Sequence, residues 1–260
     1  MIDVLIPTKD RGDKISLTLL SLLFQTYTDL QIIVRDEGST SMLESRTVRI
    51  LWDLLSEKYT VQYIRKRGKQ SISKARFELV RIASSAVIFF LDDDVVIEPF
   101  AIEYLESKLK ERSFVSGVLY DVDNVRQHQG HIPYPVSTDM YESLGKIKKF
   151  NRCSEEKSFE VYWMSTAVLM LKRKNALKYK IFDLYDNISW CEDNMATVIL
   201  SYNLGKGLVF SKVVGYHIVE AKTNWKELHG LGRELNMEIL KDVVNREYLL
   251  KAFSSSEDDK

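Results

Sequence analysis

Only two cysteines, Cys153 and Cys191, occur in the 260 residues. That is too few for a disulfide framework, and no CxxC spacing marks a metal site. A reducing compartment is the simpler reading. A surplus of one charge is missing too. Lys plus Arg and Asp plus Glu both number 37. No overall field therefore draws the chain to nucleic acid or to an acidic membrane. Long apolar runs are absent, and none nears the ~20 residues that span a bilayer. Residues 1–7 have no basic lead and no long apolar stretch, so no signal peptide is expected. Glycine is scarce where dinucleotide binding would need it. No GxGxxG follows a strand, which sets aside a nicotinamide dehydrogenase. There is no internal repeat. The composition describes a cytoplasmic chain long enough for one large α/β domain or two closely joined halves.

What is there centres on Val87-Ile88-Phe89-Phe90-Leu91-Asp92-Asp93-Asp94. Five apolar residues with β-branched and aromatic members read as a strand buried on both faces. Three carboxylates follow at its end. Like charges this close repel, and desolvation sharpens the repulsion, so something positive should sit among them. A hard cation such as Mn²⁺ or Mg²⁺ takes oxygen ligands and leaves positions open for phosphate oxygens. The plainer reading is a solvated acidic turn before a helix that can start near Glu98-Pro99.

Short apolar strands and amphipathic helices alternate along the first half. Strands are expected at 2–6, ended by Pro7, and at 30–34, 61–64, 87–91 and 114–120. Helices are expected at about 15–23, 42–57, 71–83 and 101–109. In the first helix Ile15, Leu19, Leu22 and Leu23 recur at helical spacing. This alternation predicts a doubly wound, mostly parallel sheet with helices on both faces. Ligands in such sheets bind outside the carboxyl ends of the strands. Pro7-Thr8, Asp36-Glu37 and Asp92 to Asp94 all fall there.

The second half changes character. Residues 121–158 read as a long loop or flap. One or two strands are expected within 159–171. A helix follows Trp190-Cys191-Glu192-Asp193 and ends at Gly205, as a left-handed C-cap would. A strand at 208–214 leads to Gly215-Tyr216-His217. Residues 224–253 read as a long helical region before a polar tail. Core packing is the favoured role of that region. Peripheral contact with a membrane through Trp225 is the alternative.

Several side chains carry two readings each. Asp36 or Glu37 can accept from a base N–H or a ribose hydroxyl, or can cap the following helix. Arg65, Lys66, Arg67, Lys69, Lys74 and Arg76 make the densest basic stretch. A solvated face suits most of them. Arg76, just before the acidic strand, suits a pyrophosphate because its fork matches phosphate oxygens. Glu192 and Asp193 can supply a general base, or can serve the dipole of a first helical turn. A lone His217 is more often structural, yet imidazole beside carboxylates suits Mn²⁺. His128, His131 and His229 have no evident partner.

Taken together, these motifs resemble family 2 glycosyltransferases. Ile6-Pro7-Thr8-Lys9-Asp10-Arg11, Ser21-Leu22-Leu23-Phe24-Gln25-Thr26-Tyr27 and Ile32-Ile33-Val34-Arg35-Asp36-Glu37-Gly38-Ser39-Thr40 are similar to the family's opening. Phe90-Leu91-Asp92-Asp93-Asp94 resembles its DxD signature. Tyr162-Trp163-Met164-Ser165-Thr166-Ala167 and Trp190-Cys191-Glu192-Asp193 resemble its acceptor-side motifs. The ordered match covers roughly residues 2–217. Glu37, Phe77, Ser85 and Thr166 depart from the usual pattern.

The resemblance implies a GT-A fold and inverting transfer from a nucleoside-diphosphate sugar. Residues 1–94 would form the donor half, 95–222 the acceptor and catalytic half, and 223–260 a C-terminal helix and tail. Asp193 would be the base, beside Glu192. Asp94 would bind the metal, joined by His217, with Asp92 and Asp93 toward ribose and metal waters. Pro7, Thr8, Arg11, Asp36 or Glu37, and Arg76 would face the donor. Trp163 and Trp190 would face a carbohydrate, lipid-linked or protein acceptor. The rivals are a sugar nucleotidyltransferase and a non-catalytic nucleotide-sugar binding protein. The first would need a glycine-rich phosphate loop, and residues 7–12 hold one glycine.

Overall fold

The computed structural model describes residues 1–66, 71–121, 126–127, 158–161, 164–183 and 192–218. Its strands are β1 (Ile2–Thr8), β2 (Leu30–Asp36), β3 (Thr60–Arg65), β4 (Val87–Leu91), β5 (Val95–Ile97), β6 (Phe114–Asp121), β7 (Arg126–Gln127), β8 (Ser158–Val161), β9 (Val168–Lys172) and β10 (Gly207–His217). Its α-helices are α1 (Ile15–Leu23), α2 (Arg46–Lys58), α3 (Ile72–Ile82), α4 (Ala101–Lys108), α5 (Arg173–Lys178) and α6 (Glu192–Leu204).

The sheet runs β3-β2-β1-β4-β9-β6-β10-β5, with β7 on β6 and β8 on β10. The β3-β2-β1-β4 block is parallel, and so is the β6–β10 pair. β9 inserts antiparallel between β4 and β6. Apolar alternation sorts the strands onto two cores. Leu5, Ile33, Ile88 and Phe90 face one way, with Leu79 of α3 and Val198 of α6. Val4, Ile32, Phe89 and Leu91 face the other, with Leu19 of α1, Val48 of α2 and Leu105 of α4. The continuous apolar run is therefore a central strand covered on both faces.

The differences from the sequence expectation have physical reasons. β1 does not end at Pro7 but runs on to Thr8. Thr8 O accepts from Glu37 N, so the neighbouring Pro7 nitrogen points toward β4. Pairing with β4 has already stopped at Leu5, and no ladder bond is lost there. β5 lies between the acids and α4, where only a helix is expected. α5 is also additional. The segment 159–171 holds two strands, and β10 continues through His217 with a register shift between Phe210 and Val214. Gly205 does cap α6, at φ 84°, with its N–H on Ser201 O at 2.9 Å.

Buried Asp3 shows why Ser85 fits. It accepts from Ser84 N at 2.6 Å, Ser85 N at 2.9 Å and Ser85 Oγ at 2.5 Å, fixing the entry into β4. Of the 121–158 flap only 121, 126–127 and 158 are described, all in strands; the rest lies outside the described residues, as does the 224–253 helical region with Trp225. Among the described residues no helix is long and apolar enough to cross a membrane.

Candidate active site

β1, β2 and β4 are neighbours in the sheet and run parallel, so the residues at and just past the ends of β1 and β4 meet. Thr8 Oγ1 donates to Asp93 Oδ2 at 2.6 Å. Arg11, just past β1, reaches Asp93 Oδ1 at 3.2 Å through Nε and Asp94 Oδ2 at 2.8 Å through Nη2. Arg76 of α3 is buried and donates to Asp92 Oδ1 at 2.7 Å. β10 brings His217 Nε2 to 3.5 Å from Asp94 Oδ1. Ile218 N also donates to Asp94 O at 2.8 Å, closing the end of β10 over the acids.

The positive charge that three adjacent carboxylates demand thus comes from two guanidinium groups. Burial pushes Asp93 up to about 7, against the pull of Arg11, with Asp94 adding to the rise. Asp94 and His217 form a carboxylate–imidazole pair of a kind that suits Mn²⁺ or Mg²⁺. Among the described residues no group of three or more such ligands gathers around one point.

A second cluster lies beside this edge. Asp36 is almost fully buried and both its oxygens are taken. Oδ1 accepts from Gly38 N at 2.8 Å. Oδ2 accepts from Met42 N at 2.8 Å, Tyr63 OH at 2.6 Å and Arg65 Nη1 at 2.8 Å. Glu37, just past the end of β2, turns the other way, toward Arg35. There Arg35, 0% exposed, pairs with Glu37 at 2.7 Å and Glu78 at 2.9 Å. Burial raises the Glu37 pKa despite Arg35. Arg65 and Lys66 of the basic stretch are thus ion-paired rather than merely solvated, Lys66 with Glu78 at 2.9 Å. Arg67 and Lys69 lie outside the described residues.

On the far side, Glu192 and Asp193 are the first two residues of α6. Thr197 Oγ1 accepts from Met164 N and donates to Met164 O, both at 3.0 Å. Ala167 O then accepts from Asp92 N at 3.1 Å. Residues 164–167 therefore tie α6 to the acids, with Asp193 about 6 Å along the helix from Thr197. Trp163, Trp190 and Cys191 lie outside the described residues.

A model of the Glycosyl transferase family 2 matches residues 3–167. The chain belongs to this family. The transferase's fold is also that of S. aureus TarS. The full TarS structure aligns with TM-score 0.65 and 18% identity over 92% of this chain, which spans only 39% of TarS. TarS 1-349 in complex with UDP-GlcNAc aligns with TM-score 0.68 and 17% identity, covering 96% of this chain and 71% of that one. Its UDP complex gives 0.67 and 16%, covering 96% and 70%. At these identities the likeness concerns the GT-A fold. No curated protein matches the transferase in sequence.

Of the site residues expected from sequence, Thr8, Arg11, Arg76, Asp92, Asp93, Asp94 and His217 converge at one strand edge. Pro7 lies beside them in β1. Tyr63 and Arg65, which hold Asp36, are not among those expected. Their i, i+2 spacing on the strand next to the acid was the available signal.

Proposed function

We propose that this transferase moves a sugar from a nucleoside-diphosphate donor to an acceptor hydroxyl, with inversion at the anomeric carbon. The observation that carries it is the meeting of Thr8, Arg11, Arg76, His217 and three consecutive acids outside the carboxyl ends of β1, β4 and β10. Asp94 and His217 would hold a Mn²⁺ or Mg²⁺ ion, which supplies positive charge to the donor phosphates. Arg11 and Arg76 stand beside them and offer guanidinium forks to the same oxygens. Glu37 is the acid that faces the nucleoside, because Asp36 already accepts four hydrogen bonds. Residues 1–94 act as the donor half and 95–222 as the acceptor and catalytic half.

In the transfer, Asp193 takes the proton of the acceptor hydroxyl, next to Glu192. The oxygen attacks the anomeric carbon from the face opposite the leaving group. A new C–O bond forms there, and the bond to the β-phosphate oxygen breaks. The nucleoside diphosphate leaves with that electron pair. Trp163 and Trp190 would hold a carbohydrate, lipid-linked or protein acceptor.

The UDP and UDP-GlcNAc complexes of TarS make UDP the first probe. Calorimetry with UDP, GDP and dTDP, each with and without Mn²⁺, tests the reading. Binding of one nucleotide that needs Mn²⁺ and vanishes in Asp94→Ala is expected. Failure of all three to bind would overturn the donor site.

A further inference from the structure

We propose that Arg65, assisted by Tyr63, is a positioning residue for the donor's nucleoside: it locks the 36–41 turn that forms the nucleoside wall. The inference rests on the donor-site reading above.

β3 is the edge strand, and Arg65 lies opposite Asp36 in the parallel register. Paired residues of a parallel sheet project to the same face, so the guanidinium meets the carboxylate directly. Its fork does three things. Nη1 donates to Asp36 Oδ2 at 2.8 Å and to Thr40 O at 3.1 Å, and Nη2 donates to Ser39 O at 3.0 Å. Two carbonyls that turn toward solvent are thereby held by one planar group. Tyr63 OH donates its only proton to Asp36 Oδ2. It therefore accepts from Ser41 Oγ, 2.7 Å away. Ser41 opens the capping box that starts the 3-10 turn Met42–Glu44.

The opposite side of the turn is fixed to the loop after β1. Asp10 Oδ1 accepts from Ser39 N at 2.5 Å and Ser39 Oγ at 2.7 Å. Gly38 packs so closely there that a Cβ would lie 2.9 Å from Asp10 N and 2.8 Å from Thr40 O. Thr8 and Glu37 are joined through Glu37 N on Thr8 O at 2.9 Å. The turn is thus a rigid strip continuous with Glu37 and fastened to the strand that carries Thr8. Its hold on the β3 side depends on Arg65. A lysine has one ammonium on a flexible stem and cannot serve an acid and two carbonyls at once.

The test separates nucleoside from phosphate. Binding of UDP, GDP and dTDP with Mn²⁺ is compared with binding of inorganic pyrophosphate with Mn²⁺, in wild type, Arg65→Ala, Arg65→Lys and Tyr63→Phe. Circular dichroism and thermal melting confirm that each variant is folded. For the nucleotide that wild type prefers, Arg65→Ala should weaken binding about tenfold or more. Arg65→Lys should not rescue it, and Tyr63→Phe should fall between. Pyrophosphate binding should stay unchanged. Equal loss for nucleotide and pyrophosphate would show a general structural role and overturn the proposal. Unchanged nucleotide binding in Arg65→Ala would overturn it while the donor-site reading stands. A wild type that binds pyrophosphate but no nucleotide would overturn both.

Discussion

Asp36 is the last residue of β2 and Glu37 the next, and their side chains turn to different partners, which separates their roles. Asp36 is saturated by two amides, a phenol and a guanidinium. Glu37 is buried against Arg35, and desolvation lifts its pKa. A raised carboxyl pKa means that the folded state favours the protonated acid. Its contribution to stability is therefore full below the unfolded pKa. It is lost as pH rises from there through the raised folded value. Urea unfolding of wild type and Glu37→Gln across pH 4 to 8 should show this. Wild type should lose stability relative to the variant as pH rises, and a gap that ignores pH would contradict the burial argument. Asp193 carries a different prediction. Asp193→Asn keeps the size of the side chain but cannot take a proton. Nucleotide binding with Mn²⁺ should survive while transfer falls at least ~10²-fold, the low end of what a positioned base contributes. Turnover near wild type would remove Asp193 from the mechanism.

At the scale of the element, Gln25 shows how helices are held over the site. It follows α1 and is buried. Nε2 donates to Ser21 O and Glu98 O, both at 3.0 Å, and Oε1 accepts from Ile102 N at 3.3 Å. It thus satisfies a free amide in the first turn of α4, just after β5. Glu98 O keeps its bond from Ala101 N, but Gln25→Ala would strand Ile102 N in a dry place and should cost about 2 kcal/mol. Urea unfolding with an unchanged m-value would check it. The same region marks where the sequence stops being legible. β1, α1, β2, α3 and β4 could be read to within a residue or two, because each has a full apolar stripe or run. β5 could not. Its three residues, Val95–Ile97, become a strand only by pairing with β10, about 120 residues later. α5, with the sequence RKNALK, has no apolar stripe to announce it. In the site, Asp92 to Asp94 stand out because acids follow a buried run. The guanidinium groups that neutralise them come from the loop after β1 and from α3, and no local pattern pairs either with the acids. Arg65 is hidden differently. As one of a run of basic residues it looks solvated, and only the β2–β3 register sets it against Asp36. Asp10, at φ 52°, adopts a backbone that its type rarely announces.

For the whole molecule, the two halves of the site share one sheet and cannot be separate folding units. β4 carries the acids from the first half. Its neighbour on one side is β1, but on the other it is β9, from the second half. The core beneath Phe90 is likewise built from both. Phe90 meets Phe182 edge-on at 5.2 Å, within a cluster that holds Leu5 and Leu79 together with Leu169, Met195 and Ile199. A fragment ending at residue 112 would keep β1 to β4 and α1 to α4. It would lose β6, β9, β10 and α6, leave residues 95–97 without the strand they pair with, turn β4 into an apolar edge and uncover Ile88 and Phe90. Edge strands of that kind pair with other chains rather than stay monomeric. Fragment 1–112 should therefore show no cooperative thermal transition and should aggregate, whereas the full chain should melt in one step by far-UV and near-UV circular dichroism alike. A fragment that melts cooperatively as a monomer would mean that the proposed donor half folds alone. The acids would then be fixed before the acceptor side exists. If the fragment fails, as the sheet order requires, Asp92 to Asp94 reach their final geometry only when residues 164–171 close against them. The donor acids and the helix that carries Asp193 would then be set in place by the same folding step.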